Sequence, residues 1–131
     1  PVAKTPVAKT PVAKTPVAKT PVAKTLNADS LFVTNSSYLS ATHNLEGILF
    51  MMLNDTQSRL TVVGHTDNVG THEYNLWLSL RRAHAVAKYF IANGIKSKRI
   101  QVDARGAEEP IASNASESGR TLNRRVVVTI Q

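Results

Sequence analysis

The unit Pro-Val-Ala-Lys-Thr runs without error from Pro1 to Thr25, five copies in a row, and this sets the first limit on what the chain can fold into. Proline at every fifth position forbids a continuous helix, because each ring deletes a backbone donor and disfavours helical geometry just before it. A five-residue period is also far below that of any stacked solenoid. With valine as the one sizeable apolar group in each unit, the segment cannot build a core. Its expected state is an extended, partly polyproline-II chain, which at ~3.1 Å per residue reaches roughly 75 Å. Residues 1–25 are therefore read as a basic linker and residues 26–131 as a single domain.

Charge divides along the same line. The repeat carries five lysines and no acid, so setting it aside reduces the formal charge from +7 to +2. The basic isoelectric point thus says little about the folded part, and nucleic acid is not an expected partner. Evenly spaced charge without aromatics is how solvated spacers look, and a spacer is expected over a binder of anionic surfaces. The chain has no cysteine, which excludes disulfides and thiolate metal sites. Its longest apolar run, Ile48 to Leu53, is far short of the ~20 residues that cross a bilayer. No signal peptide is visible, since the chain opens at Pro1 with neither a charged start nor an apolar stretch behind it. The expectation is that the native start, with any membrane anchor, lies upstream.

From Leu26 the pattern is that of a mixed domain. Ser30 to Val33 is a short strand candidate. Ser40 to Asn54 carries Leu45, Ile48, Leu49 and Met52 at helical spacing. Leu60 to Gly64 is a buried strand candidate, followed by the turn residues Asp67-Asn68-Val69-Gly70. The longest periodic stretch, Glu73 to Asn93, predicts a helix closed by Gly94. Ile100 to Gly106 and Arg124 to Ile130 read as strands, separated by a polar loop with room for a short helix. The order βαβαββ predicts a two-layer α/β (α+β) sandwich, with two main helices on one face of a small mixed sheet.

Several separated motifs carry a resemblance. Gly64-His65-Thr66-Asp67-Asn68-Val69-Gly70, then Tyr74-Asn75, then Leu78-Ser79-Leu80-Arg81-Arg82-Ala83, with Gly106-Ala107-Glu108, Gly119-Arg120 and Asn123-Arg124-Arg125 further on, stand in one order. Together they make residues 30–131 resemble the C-terminal domain of outer-membrane protein A and its relatives, the peptidoglycan-associated lipoproteins and wall-anchoring domains of flagellar stators and secretion machines. The resemblance implies binding of the meso-diaminopimelate side chain of the peptidoglycan stem, whose free end is a zwitterion. It assigns the ammonium to Asp67 and the carboxylate to Arg82, a guanidinium being a planar two-pronged donor. Thr66, Asn75 and Arg125 complete the implied ligand set, Asn75 either holding the loop or touching the ligand. Strand alternation lets only one of Arg124 and Arg125 face the cleft. Relatives often carry Asp after the phenylalanine of the first strand. Here that position is Val33, so no polar contact is expected from that segment.

The resemblance further implies a periplasmic module tethered to the outer membrane, with the wall stem as partner and envelope-complex proteins as possible further partners. A docking component of an envelope-spanning secretion or motility complex is the rival reading. Neither needs turnover or a cofactor. His43, His65, His72 and His84 lack the i, i+4 spacing of a helical metal pair, so no metal is expected. Ser79 has no glycine-flanked nucleophile elbow around it, and no enzyme is expected.

Overall fold

The computed structural model describes residues 20–131. The linker expected over residues 1–19 lies outside the described residues. The fifth copy does not, and it departs from expectation. Strand β1 (Val22–Asn27) starts within it and pairs antiparallel with β4 (Arg125–Ile130), in a register that sets Val22 opposite Ile130 and Leu26 opposite Val126. The boundary drawn after Thr25 therefore falls inside a strand. Leu26 is buried in the core, whereas Val22 to Thr25 are exposed and are held by the backbone ladder.

β1 takes the sheet position expected for Ser30 to Val33. Those residues instead belong to α1 (Ala28–Leu31), one helical turn, and to Phe32, which makes a single bridge to Leu39. The cause is local: the Asn27 side chain accepts the Asp29 N–H and caps a turn where a strand would continue. Leu31 and Phe32 still reach the core, from a turn. The remaining elements follow the predicted order: α2 (His43–Asn54), β2 (Leu60–His65), α3 (His72–Ala92), a 3-10 turn (Ser97–Arg99), β3 (Ile100–Gly106) and α4 (Glu117–Asn123) before β4.

The sheet order is β1-β4-β2-β3, with β2 and β3 parallel and joined across by α3, and the other two pairings antiparallel. Alternation puts Val62, Val126 and Val128 into one core with Leu45, Ile48 and Met52 of α2 and Ala83, Val86 and Phe90 of α3. Thr61, Val63, Val127 and Thr129 lie half-buried on the other face.

Two devices fix the helices. Arg99 donates from Nε to Ser58 O at 2.9 Å and from Nη2 to Met52 O and Asp55 O at 3.0 and 2.9 Å. It thereby satisfies a carbonyl that the end of α2 leaves without a helical donor. Gly64 lets α3 lie directly on β2, since a Cβ there would stand 2.2 Å from Ser79 O. Ser79 Oγ uses the same proximity, donating to Leu76 O at 2.9 Å and accepting Gly106 N–H at 3.0 Å. This close approach carries Arg82, one turn further on, over the end of β2.

Candidate functional site

Beyond the end of β2 lies a cleft of about 570 Å³. Its walls are the 66–70 loop, the first turns of α3, Asp29 of α1, Thr34 and Asn35, and the α4 region with Glu117, Arg120 and Arg124. The Thr71 hydroxyl caps α3 by accepting Tyr74 N–H at 3.1 Å, and this first turn presents Tyr74 and Asn75 to the cleft. Three carboxylates and three guanidiniums line it, so the cleft is charge-balanced and strongly polar. A separate hollow of about 450 Å³ near Val22, Phe50 and Met51 is mostly apolar and contains none of the motif residues.

Asp67 stands where the sequence predicts, just past the strand end. Its side chain is 12% exposed, with Oδ1 accepting Val69 N–H at 3.0 Å and Oδ2 accepting from Arg124 Nη1 at 2.7 Å. A carboxylate has room for about four acceptor contacts, so both oxygens retain capacity for a ligand donor. Thr66 is buried beside it and is held by its N–H to Gly106 O at 2.8 Å and its hydroxyl to Asp67 O at 2.8 Å. The hydroxyl thus stiffens the loop that carries the acid.

Arg82 lines the same cleft from α3 and is 4% exposed. Nε donates to Ser36 O at 2.9 Å, and the guanidinium carbon sits 5.2 Å from the Phe32 ring centroid. Neither terminal nitrogen donates to an acceptor among the described residues. Burial pulls its pKa below the ordinary arginine value, opposed first by Asp29, and it remains a cation. Of the three cleft arginines it alone has both terminal nitrogens unused. Arg120 is engaged with Glu117 and Asn114 O, and Arg124 with four side chains. Asn75 is 3% exposed, and its amide makes no hydrogen bond within the described residues while lining the cleft.

Arg125 is the exception. It does not line the cleft; its guanidinium donates to Asn123 O at 3.1 Å and Glu109 O at 2.8 Å, and burial lowers its pKa. Its register partner is His65, on the sheet side away from the core. Arg124, which closes α4 before the strand begins, takes the cleft position instead. It ties Asp67 to Asp29 at 3.0 Å and to Glu117 at 2.8 Å, and the bonds to these acids, Asp29 first, raise its pKa. The same bonds hold Glu117 below the usual carboxylate range.

Sequence reasoning missed Asp29 and Glu117 altogether. Val33 is exposed and outside the cleft, yet the segment around it does contribute an acid, Asp29, from the capped turn. Asn27 as a capping residue is a local signal that could have marked the turn, whereas no local pattern encodes the contact from Asp29 to Arg124.

His65, in the same motif, is buried, and its Nδ1 has no hydrogen-bond partner among the described residues. Desolvation, helped by nearby Arg125, lowers its pKa to about 4, so at neutral pH it contributes no charge to the site.

Chemically the cleft offers a fixed anion on the 66–70 loop, and a fixed cation with free donors and an unpaired side-chain amide, both on α3. That set suits a zwitterionic amino-acid end.

The profile of the OmpA family matches residues 31–124. Among curated proteins, the chain is 34% identical over 91 residues to the probable lipoprotein YiaD of Escherichia coli (strain K12), covering 70% of this chain and 42% of that protein. It is 42% identical over 73 residues to the peptidoglycan-binding protein ArfA of Mycobacterium tuberculosis, covering 56% and 22%. The chain thus spans less than half the length of either. Among solved structures, it resembles the peptidoglycan-associated lipoprotein from Burkholderia pseudomallei, with TM-score 0.73, 26% identity and coverage of 90% and 95%. The cell wall anchor of the T6SS from Pseudomonas aeruginosa gives TM-score 0.69 and 32% identity, with coverage of 84% and 80%. With its fold, its motif order and this profile in agreement, the chain belongs to the OmpA family.

Proposed function

We propose that the domain binds peptidoglycan non-covalently by capturing the free zwitterionic end of diaminopimelate in the peptide stem. Asp67 receives the ammonium and Arg82 the carboxylate, while Asn75 adds a neutral contact. Binding anchors an outer-membrane or envelope protein to the wall, within the periplasm and tethered to the outer membrane. The repeat up to Pro21 serves as the spacer. Nothing in this mechanism requires catalysis. The observation that carries the reading is the unused donor capacity of Arg82 in a cleft it shares with a nearly dry Asp67. Partial burial strengthens both contacts relative to water. Two relatives support the same class of ligand: ArfA is a peptidoglycan-binding protein, and the secretion-system protein is a cell wall anchor. The anchor's likeness also suits membership of a larger envelope machine, which wall binding does not oppose.

The test is a pulldown with two wall types. Diaminopimelate-type wall should retain the protein, whereas lysine-type wall should not, because lysine lacks the side-chain carboxylate that Arg82 would hold. Equal retention on both overturns the mechanism.

A further inference from the structure

We infer that the wall polymer continues out of the cleft along the outer face of α3, where Tyr74 and Trp77 form a platform for a sugar ring of the glycan strand. This rests on the reading that the cleft holds the stem. Residues 74, 77, 81, 84 and 88 recur at helical spacing on one stripe, and ~1.5 Å per residue makes it roughly 20 Å long. The stripe opposes the buried face that carries Arg82 and Phe90.

Trp77 is 52% exposed, which is unusual for the largest apolar side chain. Its ring lies 5.7 Å from that of Tyr74, and the Arg81 guanidinium carbon is 5.2 Å from its centroid. The indole is therefore braced on its helix before any ligand arrives, which reduces the ordering cost of binding. A flat ring with a polar rim matches the alternating C–H and hydroxyl surface of a sugar.

Continuity with the cleft selects the occupant. Tyr74 lines the cleft and also touches Trp77, so the platform begins at the cleft's edge. The loop that supplies Thr34 and Asn35 to the cleft supplies Ser37 to a neighbouring hollow of about 450 Å³, which Trp77, Leu80, Arg81, His84 and Lys88 complete. Between the two, Ser36 O holds Arg82. A ligand leaving the cleft over this rim meets the aromatic pair first. In the wall, stem and glycan are one covalent molecule, so even a weak sugar contact multiplies the affinity of the stem.

Trp77 is the sole tryptophan of the chain, which makes its fluorescence a direct reporter. Affinities are measured by titration calorimetry of the full chain and of Trp77→Ala, with a free diaminopimelate tripeptide and with the same tripeptide carrying its disaccharide, and emission is followed in parallel in the wild type. The expected result is roughly three- to tenfold tighter binding of the disaccharide form, the range of one aromatic contact. A change in tryptophan emission should accompany that ligand alone. Trp77→Ala should abolish the difference and leave affinity for the free tripeptide unchanged. Equal affinities without an emission change overturn the inference and leave the stripe to a protein partner. Loss of both ligands in Trp77→Ala also overturns it. If neither ligand binds the wild-type chain, the cleft reading fails as well.

Discussion

Replacing Asp67 with asparagine separates the binding role of this residue from its structural one. The wild-type carboxylate accepts Val69 N–H and Arg124 Nη1, one on each oxygen. An amide has one oxygen, so whichever way it turns, one of these contacts is lost and a donor faces a donor. Arg124 is not stranded by the change, because Asp29 and Glu117 still hold it. Both of those acids are largely open to water, at 48% and 65% side-chain exposure, so their pairs with Arg124 are screened and worth little alone. The stability cost should therefore be about 1.5–2 kcal/mol, the low end for a hydrogen bond to a charged group. That lowers Tm by about 5–10 °C in a domain of this size.

Binding should suffer far more. At 12% exposure the carboxylate is poorly screened, and an ammonium placed against a neutral amide loses its counter-charge. The expected loss is about 2–5 kcal/mol, roughly a 30- to 5,000-fold rise in Kd for a diaminopimelate tripeptide. Titration calorimetry at 25 °C, well below the shifted Tm, measures affinity, and a thermal melt measures stability. A variant that binds within threefold of wild type would refute the assignment of the ammonium to Asp67. So would a loss of affinity matched by a loss of folded protein.

Other perturbations address the frame around the cleft. His65 is held neutral, with a folded pKa of about 4 against 6.5 unfolded, so the unfolded chain takes up its proton first on acidification. Its contribution is present in full above pH 6.5 and lost as pH falls toward 4; at pH 4.5 the loss is roughly 2–3 kcal/mol. Urea unfolding at pH 7 and 4.5 should show a smaller pH effect in His65→Gln by about that amount, and an identical effect in both proteins would count against it. Asn123 is fully buried, accepts Ile111 and Ala112 N–H and donates to Ala112 O and Asn114 Oδ1. Asn123→Ala should cost about 3–4 kcal/mol in urea unfolding by leaving those backbone groups unpaired. Removing residues 1–20 should leave Tm unchanged, whereas removing 1–25 deletes most of β1 and should lower it by several degrees, about 1–2 kcal/mol of edge pairing. Equal melting of the two truncations would return the boundary to Thr25.

The motif around Asp67 and the helical stripe through Arg82 were legible because each depends on short-range spacing: a strand, a turn, a capped helix. The pairing inside the cleft was not. The aspartate meets Arg124, 57 residues away, and Arg82 is steadied by Ser36 O, 46 residues away. No local period encodes either distance. Arg124 and Arg125 are adjacent and identical in type, and only the point where α4 stops and β4 begins decides which one lines the cleft.

The edge of the sheet shows the same division. All five copies of Pro-Val-Ala-Lys-Thr have the same extended tendency, and the sequence alone sets it, through proline geometry and a lack of apolar surface. The fifth copy becomes part of the fold through its C-terminal neighbour. Only the fifth is joined to Leu26, whose burial opposite Val126 pins the register and brings Val22 to Thr25 onto β4. Local composition determined that the chain is extended there. Tertiary burial of one leucine, supplying the energy that the repeat lacks, determined that its last copy pairs with β4.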